Sequence, residues 1–141
     1  MVNMKGFIFV VALALISCKR ESPTQPPSEQ PPSEINYETQ IQPIWDRSCI
    51  SCHSGSSPSG SLDLSAGVSY SQLVEVVSPN YGVKRVRKGK PDSSVLYHKL
   101  INSGVYGGQM PPSQRLPDEE INLIKTWIEQ LKDTITTKAV N

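Results

Sequence analysis

From residue 35 onward, apolar residues recur at helical spacing in four places, and no run alternates regularly enough to predict a strand. Tyr37, Ile41, Ile44 and Trp45 share one side of a first helix, which Asn36 is placed to cap. Pro43 lies inside that helix and should bend or break it, because its nitrogen has no proton to donate to the Thr39 carbonyl. Ser69 and Gln72 have capping-box spacing for a short second helix carrying Tyr70, Leu73, Val74 and Val77. Asp92 is placed to cap a third, with Val95, Leu96 and Leu100 inward and Gly104 beyond its end. The last begins at Pro117 and carries Asp118, Glu119 and Glu120 in its first turn, at the positive end of the helix dipole. It aligns Ile121, Ile124, Trp127, Ile128 and Leu131. Four such helices predict an all-α domain over residues 35–135, followed by a flexible tail at 136–141.

The first 34 residues follow a different pattern. Lys5 precedes an unbroken apolar run from Phe7 to Ile16, too short to span a membrane but suited to the core of a signal peptide at 1–17. The run ends in Leu15-Ile16-Ser17-Cys18, which resembles a bacterial lipobox. That resemblance implies cleavage after Ser17 and a lipidated Cys18, with enough acyl chains for stable anchoring; an ordinary secretory signal with an incidental cysteine is the alternative. Residues 18–34 hold no apolar side chain after Cys18 except proline, and Pro-Pro-Ser-Glu occurs twice. Such a segment cannot bury a core and is expected to be a disordered tether. In an extended polyproline conformation it would reach roughly 40–50 Å. A ligand for a proline-binding module is the other possibility. Together with the lipobox resemblance, these features lead us to expect the domain in a bacterial cell envelope, lipid-anchored on the periplasmic or external side of a membrane.

The chemistry lies in Cys49-Ile50-Ser51-Cys52-His53, a C-x-x-C-H motif of the kind that attaches haem in c-type cytochromes. Two thiols a turn apart suit thioether bonds to the two haem vinyl groups, and the adjacent imidazole suits the proximal iron position. A thiol oxidoreductase would set its C-x-x-C within a βαβ pattern, and none is visible. Zinc would need a fourth ligand, but there is no second C-x-x-C and His98 is the only other histidine. A plain Cys49–Cys52 disulfide leaves His53 without a role. Assigning Cys18 to lipid and Cys49 and Cys52 to haem leaves no cysteine for a structural disulfide. A domain of roughly 100 residues is marginal on apolar burial alone. A composition of 37% hydrophobic and 6% aromatic residues suits a helical shell around one covalently bound haem c.

A second axial ligand is expected from Met110, between the flexible Gly107-Gly108 and the rigid Pro111-Pro112. Its soft sulfur would raise the iron potential. It is the only methionine left once a signal peptide removes Met1 and Met4. His98 is the rival, but on a helical wheel it lies nearly opposite Leu96 and Leu100 and should face outward. Between Ile35 and Asp133, ten Lys or Arg balance ten Asp or Glu. Five of the bases fall in Lys84, Arg85, Arg87, Lys88 and Lys90. That stretch suits a solvated loop, a docking surface for an acidic redox partner, or the source of an arginine for a haem propionate. Neither nucleic acid nor a small-molecule substrate is expected as a partner.

The order of motif, short helices, Met-Pro loop and long terminal helix resembles the class I cytochrome c fold over essentially the whole domain. More narrowly, it is similar to small single-haem c-type domains of bacterial exported proteins. The residues that carry this likeness are Gly60-Ser61-Leu62-Asp63-Leu64, Gly89-Lys90-Pro91-Asp92-Ser93-Ser94-Val95-Leu96-Tyr97, Met110-Pro111-Pro112 and Ile124-Lys125-Thr126-Trp127-Ile128. The resemblance implies crossing first and last helices, with Ile41, Ile44 or Trp45 touching Trp127 or Leu131. It implies that Cys49 and Cys52 hold haem between axial His53 and Met110. The cleft would be bordered by residues such as Leu62, Leu64, Leu73, Leu96 and Tyr97. The expected function is one-electron transfer between a redox protein donor and acceptor, with no substrate bonds made or broken. The alternative is a haem enzyme or gas sensor with an open distal site, although di-haem peroxidases of this kind need two C-x-x-C-H motifs.

Overall fold

Asn36 sits in extended backbone and its side-chain oxygen accepts the Thr39 amide at 3.0 Å, so the expected cap is present. Pro43 leaves its mark a turn earlier. Tyr37–Ile41 is wound as a π-helical turn, with the Gln42 amide reaching back five residues to the Tyr37 carbonyl, before helix α1 runs Gln42–Ser48. The wider turn accommodates a residue that donates no hydrogen bond and whose ring crowds the carbonyl four residues back. The protein is described here by a computed structural model that covers residues 33–132. The expected signal peptide at 1–17, Cys18, the expected tether up to Pro32 and the expected tail at 136–141 lie outside the described residues.

The second helix, α2 (Ser69–Leu73), is shorter than expected, and its capping box does not form. Val68 stands at the cap position, while the Ser69 hydroxyl donates to Gln42 Oε1 and accepts from the Tyr37 hydroxyl. Gln72 accepts from Arg85 instead of bonding back along its own helix. Val74 and Val77, expected on this helix, lie beyond its end. The β-branched run Val74-Glu75-Val76-Val77 favours extended backbone. Residues 73–78 pair with 83–86 through isolated bridges, including the Glu75 amide to the Val86 carbonyl at 2.8 Å and the Arg85 amide to the Val76 carbonyl at 2.8 Å. Among the described residues no strand forms.

A 3-10 turn at Pro91–Ser93 leads into α3 (Val95–Leu100). Asp92 lies in that turn and not at the cap. Ser94 occupies the cap position, but its hydroxyl ties the Arg87 amide to the Lys90 carbonyl. The helix ends in a Schellman pattern: Asn102 takes φ 54°, and the Ser103 amide reaches the His98 carbonyl at 3.1 Å. Asn102, not Gly104, therefore supplies the left-handed residue. Helix α4 (Asp118–Gln130) follows Pro117 with its acidic first turn, and buries Ile121, Ile124, Trp127 and Ile128.

The first and last helices pack together. Ile41, Ile44 and Trp45 share one core with Ile124, Trp127 and Ile128, and Tyr37 makes the aromatic contact to Trp127, with ring centroids 5.1 Å apart. The Ile35 amide donates to Gln130 at one end of this pairing, and Arg47 pairs with Glu120 at the other. These two contacts fasten both ends of the helix pairing, the second of them just before Cys49.

Candidate functional site

The C-x-x-C-H segment begins where α1 stops. Cys49 closes the helix with its amide on the Trp45 carbonyl at 2.8 Å, and the His53 amide returns to the Cys49 carbonyl at 3.0 Å. The five residues therefore make one further turn after α1. The His53 carbonyl then accepts the Leu64 amide at 2.7 Å, which brings the Gly-x-Leu-x-Leu segment against the motif. Gln42 reinforces that approach, donating from its side chain to the Leu64 carbonyl at 3.0 Å.

These residues line a cleft of about 390 Å³. Cys49, Cys52 and His53 line it together with Met110, about 60 positions later in the chain. Trp45, Leu64, Leu73, Val95, Leu96 and Leu100 supply an apolar wall. Met110 reaches the cleft because its amide donates to the Lys99 carbonyl at 3.0 Å, which ties the Gly107–Pro112 loop to the end of α3. Gly107 adopts φ 78°, a conformation open to glycine at little cost. Leu62, Leu64, Leu73 and Leu96 border the cleft as expected. Tyr97 does not, and packs into the core on another side of α3.

His98 is likewise absent from the lining. It is half-buried, and both ring nitrogens are engaged: Nε2 with the Asp92 carbonyl at 3.0 Å and Nδ1 with the Ser103 hydroxyl at 2.8 Å. Since a carbonyl only accepts, Nε2 carries the proton of that pair. His53 differs. Its Nδ1 is buried without a hydrogen-bond partner, leaving Nε2 as the nitrogen available to the cleft.

The two cysteines are free thiols in unlike surroundings. Cys52 is exposed. Burial pushes the Cys49 thiol up to about 11, helped by the Glu120 carboxylate and opposed by Arg47. No group of three or more His, Cys, Asp and Glu side chains among the described residues is placed to hold a metal ion.

The basic stretch does not form a single surface patch. Lys84 pairs with Glu75, which also accepts the Lys88 amide at 2.8 Å. Arg85 turns inward to 6% exposure and joins the cleft wall, where burial lowers the pKa of its guanidinium without removing the charge. Nothing in the local sequence distinguishes Arg85 from its basic neighbours. Nor does the sequence signal the buried chain in which Trp45 Nε1 donates to Tyr37, Tyr37 to Ser69, and Ser69 to Gln42. That chain holds Trp45, a residue of the cleft wall, at 0% exposure.

The residues fit a covalently held haem: two unpaired thiols beside an imidazole, a thioether facing the same cleft, and an apolar wall. The helical fold and this cleft are compatible with a cytochrome c-like domain. A family model described as Planctomycete cytochrome C matches residues 49–114, from the first motif cysteine to just past the Met-Pro-Pro loop. The match supports the cytochrome c-like assignment, and implies covalently bound haem c and an electron-transfer role. No curated protein and no solved structure matches the chain.

Proposed function

We propose that this chain is a membrane-tethered, single-haem c-type cytochrome that carries one electron at a time between redox proteins of a bacterial cell envelope. Cys49 and Cys52 are the thioether residues, and His53 and Met110 the axial ligands. The observation that carries this reading is the meeting of Met110 with Cys49, Cys52 and His53 in one apolar cleft. No attraction between a thioether and an imidazole would bring them there. The single C-x-x-C-H motif supports one haem, and the lipobox-like segment ending at Cys18 supports the tether.

Bound haem supplies a one-electron couple at its iron. The chain's own residues hold, shield and tune it. Cys49 and Cys52 fix its position, so that it stays with the protein through repeated turnover. His53 offers Nε2 from the turn that follows α1, and Met110 offers a soft sulfur that favours the reduced iron. Trp45, Leu73 and Leu100 exclude water from the inner wall, which reduces solvent reorganisation when charge changes. Exposed Ser51, Cys52, Pro112 and Ser113 leave another side of the lining open to a partner protein.

Protein matured with haem-attachment machinery tests the assignment. It should show a low-spin c-type spectrum with pigment that acidified organic solvent does not extract, and Cys49→Ala with Cys52→Ala should make the pigment extractable. Met110→Ala should remove the weak near-infrared sulfur-to-iron band, open the iron to carbon monoxide and lower the potential. Extractable pigment in the unaltered protein would overturn the attachment. A band that survives Met110→Ala would move the ligand role elsewhere. Carbon monoxide binding by the unaltered protein would favour the open-site haem enzyme or gas sensor.

A further inference from the structure

The cleft is unbalanced in charge. Its lining includes two cations, Arg85 and Lys99, and no carboxylate. Lys99 is partly exposed and rests on the Gly108 carbonyl at 3.2 Å. Arg85 is at 6% exposure, and no ion pair among the described residues includes it. Of the two carboxylates that flank it in sequence, Glu75 is taken by Lys84 and the Lys88 amide, and Asp92 does not line the cleft. Burial strips this charge of much of its hydration, so its place in the wall of an apolar cleft calls for a counter-charge.

The guanidinium is fixed by the protein before any ligand arrives. Nη1 donates to the Gln72 carbonyl at 2.9 Å and to Gln72 Oε1 at 3.3 Å, while Nη2 donates to the Gly60 and Ser61 carbonyls at 3.2 and 2.7 Å. Gly60 and Ser61 both take left-handed backbone, φ 63° and 53°, in the turn whose carbonyls meet Arg85. Four of the five N–H groups are thereby occupied by neutral oxygens, which orient the charge without cancelling it, and Nε–H remains. Ser59 and Ser78 also line the cleft, as does Asn80, whose amide nitrogen lies 3.8 Å from where a Gly60 side chain would begin. Gly60, whose carbonyl meets Arg85, thus has Asn80 beside it in a polar part of the lining.

We propose that Arg85 is the built-in counter-charge for a haem propionate, and that the Gly60–Asn80–Arg85 wall receives the carboxylate end of the cofactor. This rests on the covalent-haem function above. An apolar macrocycle with two carboxylates matches a cleft with an apolar wall, two cations and no acid. Arg85 acts as a positioning residue. It orients the cofactor relative to Cys49 and Cys52, and its charge favours the reduced iron.

Spectroelectrochemical titration of the full-length holoprotein, with Arg85→Lys and Arg85→Gln alongside, is the test. Arg85→Gln should lower the potential and move the midpoint of its pH dependence up by about one to three pH units, as expected when a carboxylate loses a neighbouring cation. Arg85→Lys keeps the charge but loses the forked carbonyl ties, so its potential and pH profile should stay near those of the unaltered protein while its melting temperature falls. Apart from the motif residues, the other titratable side chains of the cleft, Tyr81 and Lys99, are common to all three proteins and cancel in the comparison. If both variants melt lower but keep the original potential and pH profile, Arg85 is only a loop tie and the proposal falls. Should Arg85→Gln not fold, nuclear Overhauser contacts between Arg85 Nε–H and the propionate methylenes of the unaltered holoprotein decide, and their absence overturns the proposal. Absence of covalent haem from the unaltered protein would instead sink the proposed function itself.

Discussion

Individual side chains in this domain often serve a partner far along the chain instead of the neighbour that sequence suggests. Ser69 has the right offset from Gln72 to cap α2, yet its hydroxyl bonds Gln42 and Tyr37, because the buried Gln42 oxygen needs a donor. Cys49 shows the electrostatic side of the same dependence. Its thiol is raised from 9.0 to about 11, first by burial and then by Glu120, which comes from the last helix. Since the folded value lies above the unfolded one, this cysteine stabilises the haem-free fold fully below pH 9.0, and that contribution is lost as pH rises to about 11. Urea unfolding of the full chain made without haem attachment should therefore weaken across that window. The loss should be smaller in Cys49→Ala; equal losses in the two proteins would contradict the assigned burial.

At the scale of elements, the terminal helices were the most legible. Asn36, Pro117 and the acidic start of α4 act through contacts within a few residues, so their roles follow from spacing alone. Asn36→Ala should remove the bond to the Thr39 amide and cost about 1 kcal/mol of stability. Chemical denaturation of the holoprotein measures this, with the visible spectrum unchanged because the cap lies away from the cleft. No loss of stability would mean that the π-helical turn holds without its cap. The middle of the chain was harder to read. Val74 to Val77 carry the apolar spacing of a helix face but the β-branching of extended chain, and pairing with residues 83–86 decided between them. Asp92 and Gly104 are a plausible cap and stop, but Ser94 and Asn102 occupy those positions. Such choices turn on which backbone groups are buried, and no local pattern records that.

For the whole molecule, the proposed arrangement is a redox domain held on a membrane by a lipid on Cys18 and a proline-rich tether. The tether has no apolar side chain to insert, so anchoring would rest on that single residue. Cys18→Ala should move the holoprotein from the membrane fraction to the soluble one, with signal cleavage verified by mass. Continued sedimentation with membranes would point to retention by a protein partner. The tether would leave the domain free to turn its open side toward a donor and then an acceptor.

The amino-acid sequence by itself determined what depends on neighbours within a turn: the haem motif, the export and lipidation expectation, the first cap and the last helix. It also nominated Met110, because glycines before and prolines after a methionine describe a loop rather than a packed helix. Tertiary structure decided which distant residues share a cleft. It brought Met110 into the cleft that His53 lines, turned Tyr97 and His98 away, and drew Arg85 out of a basic stretch into a wall that contains no acid. The reason is physical. A side chain's burial and charge environment are set by elements that arrive from elsewhere in the chain, and Arg85, alike in sequence to Lys84 and Arg87, is distinguished only by the carbonyls of Gly60, Ser61 and Gln72 that surround it.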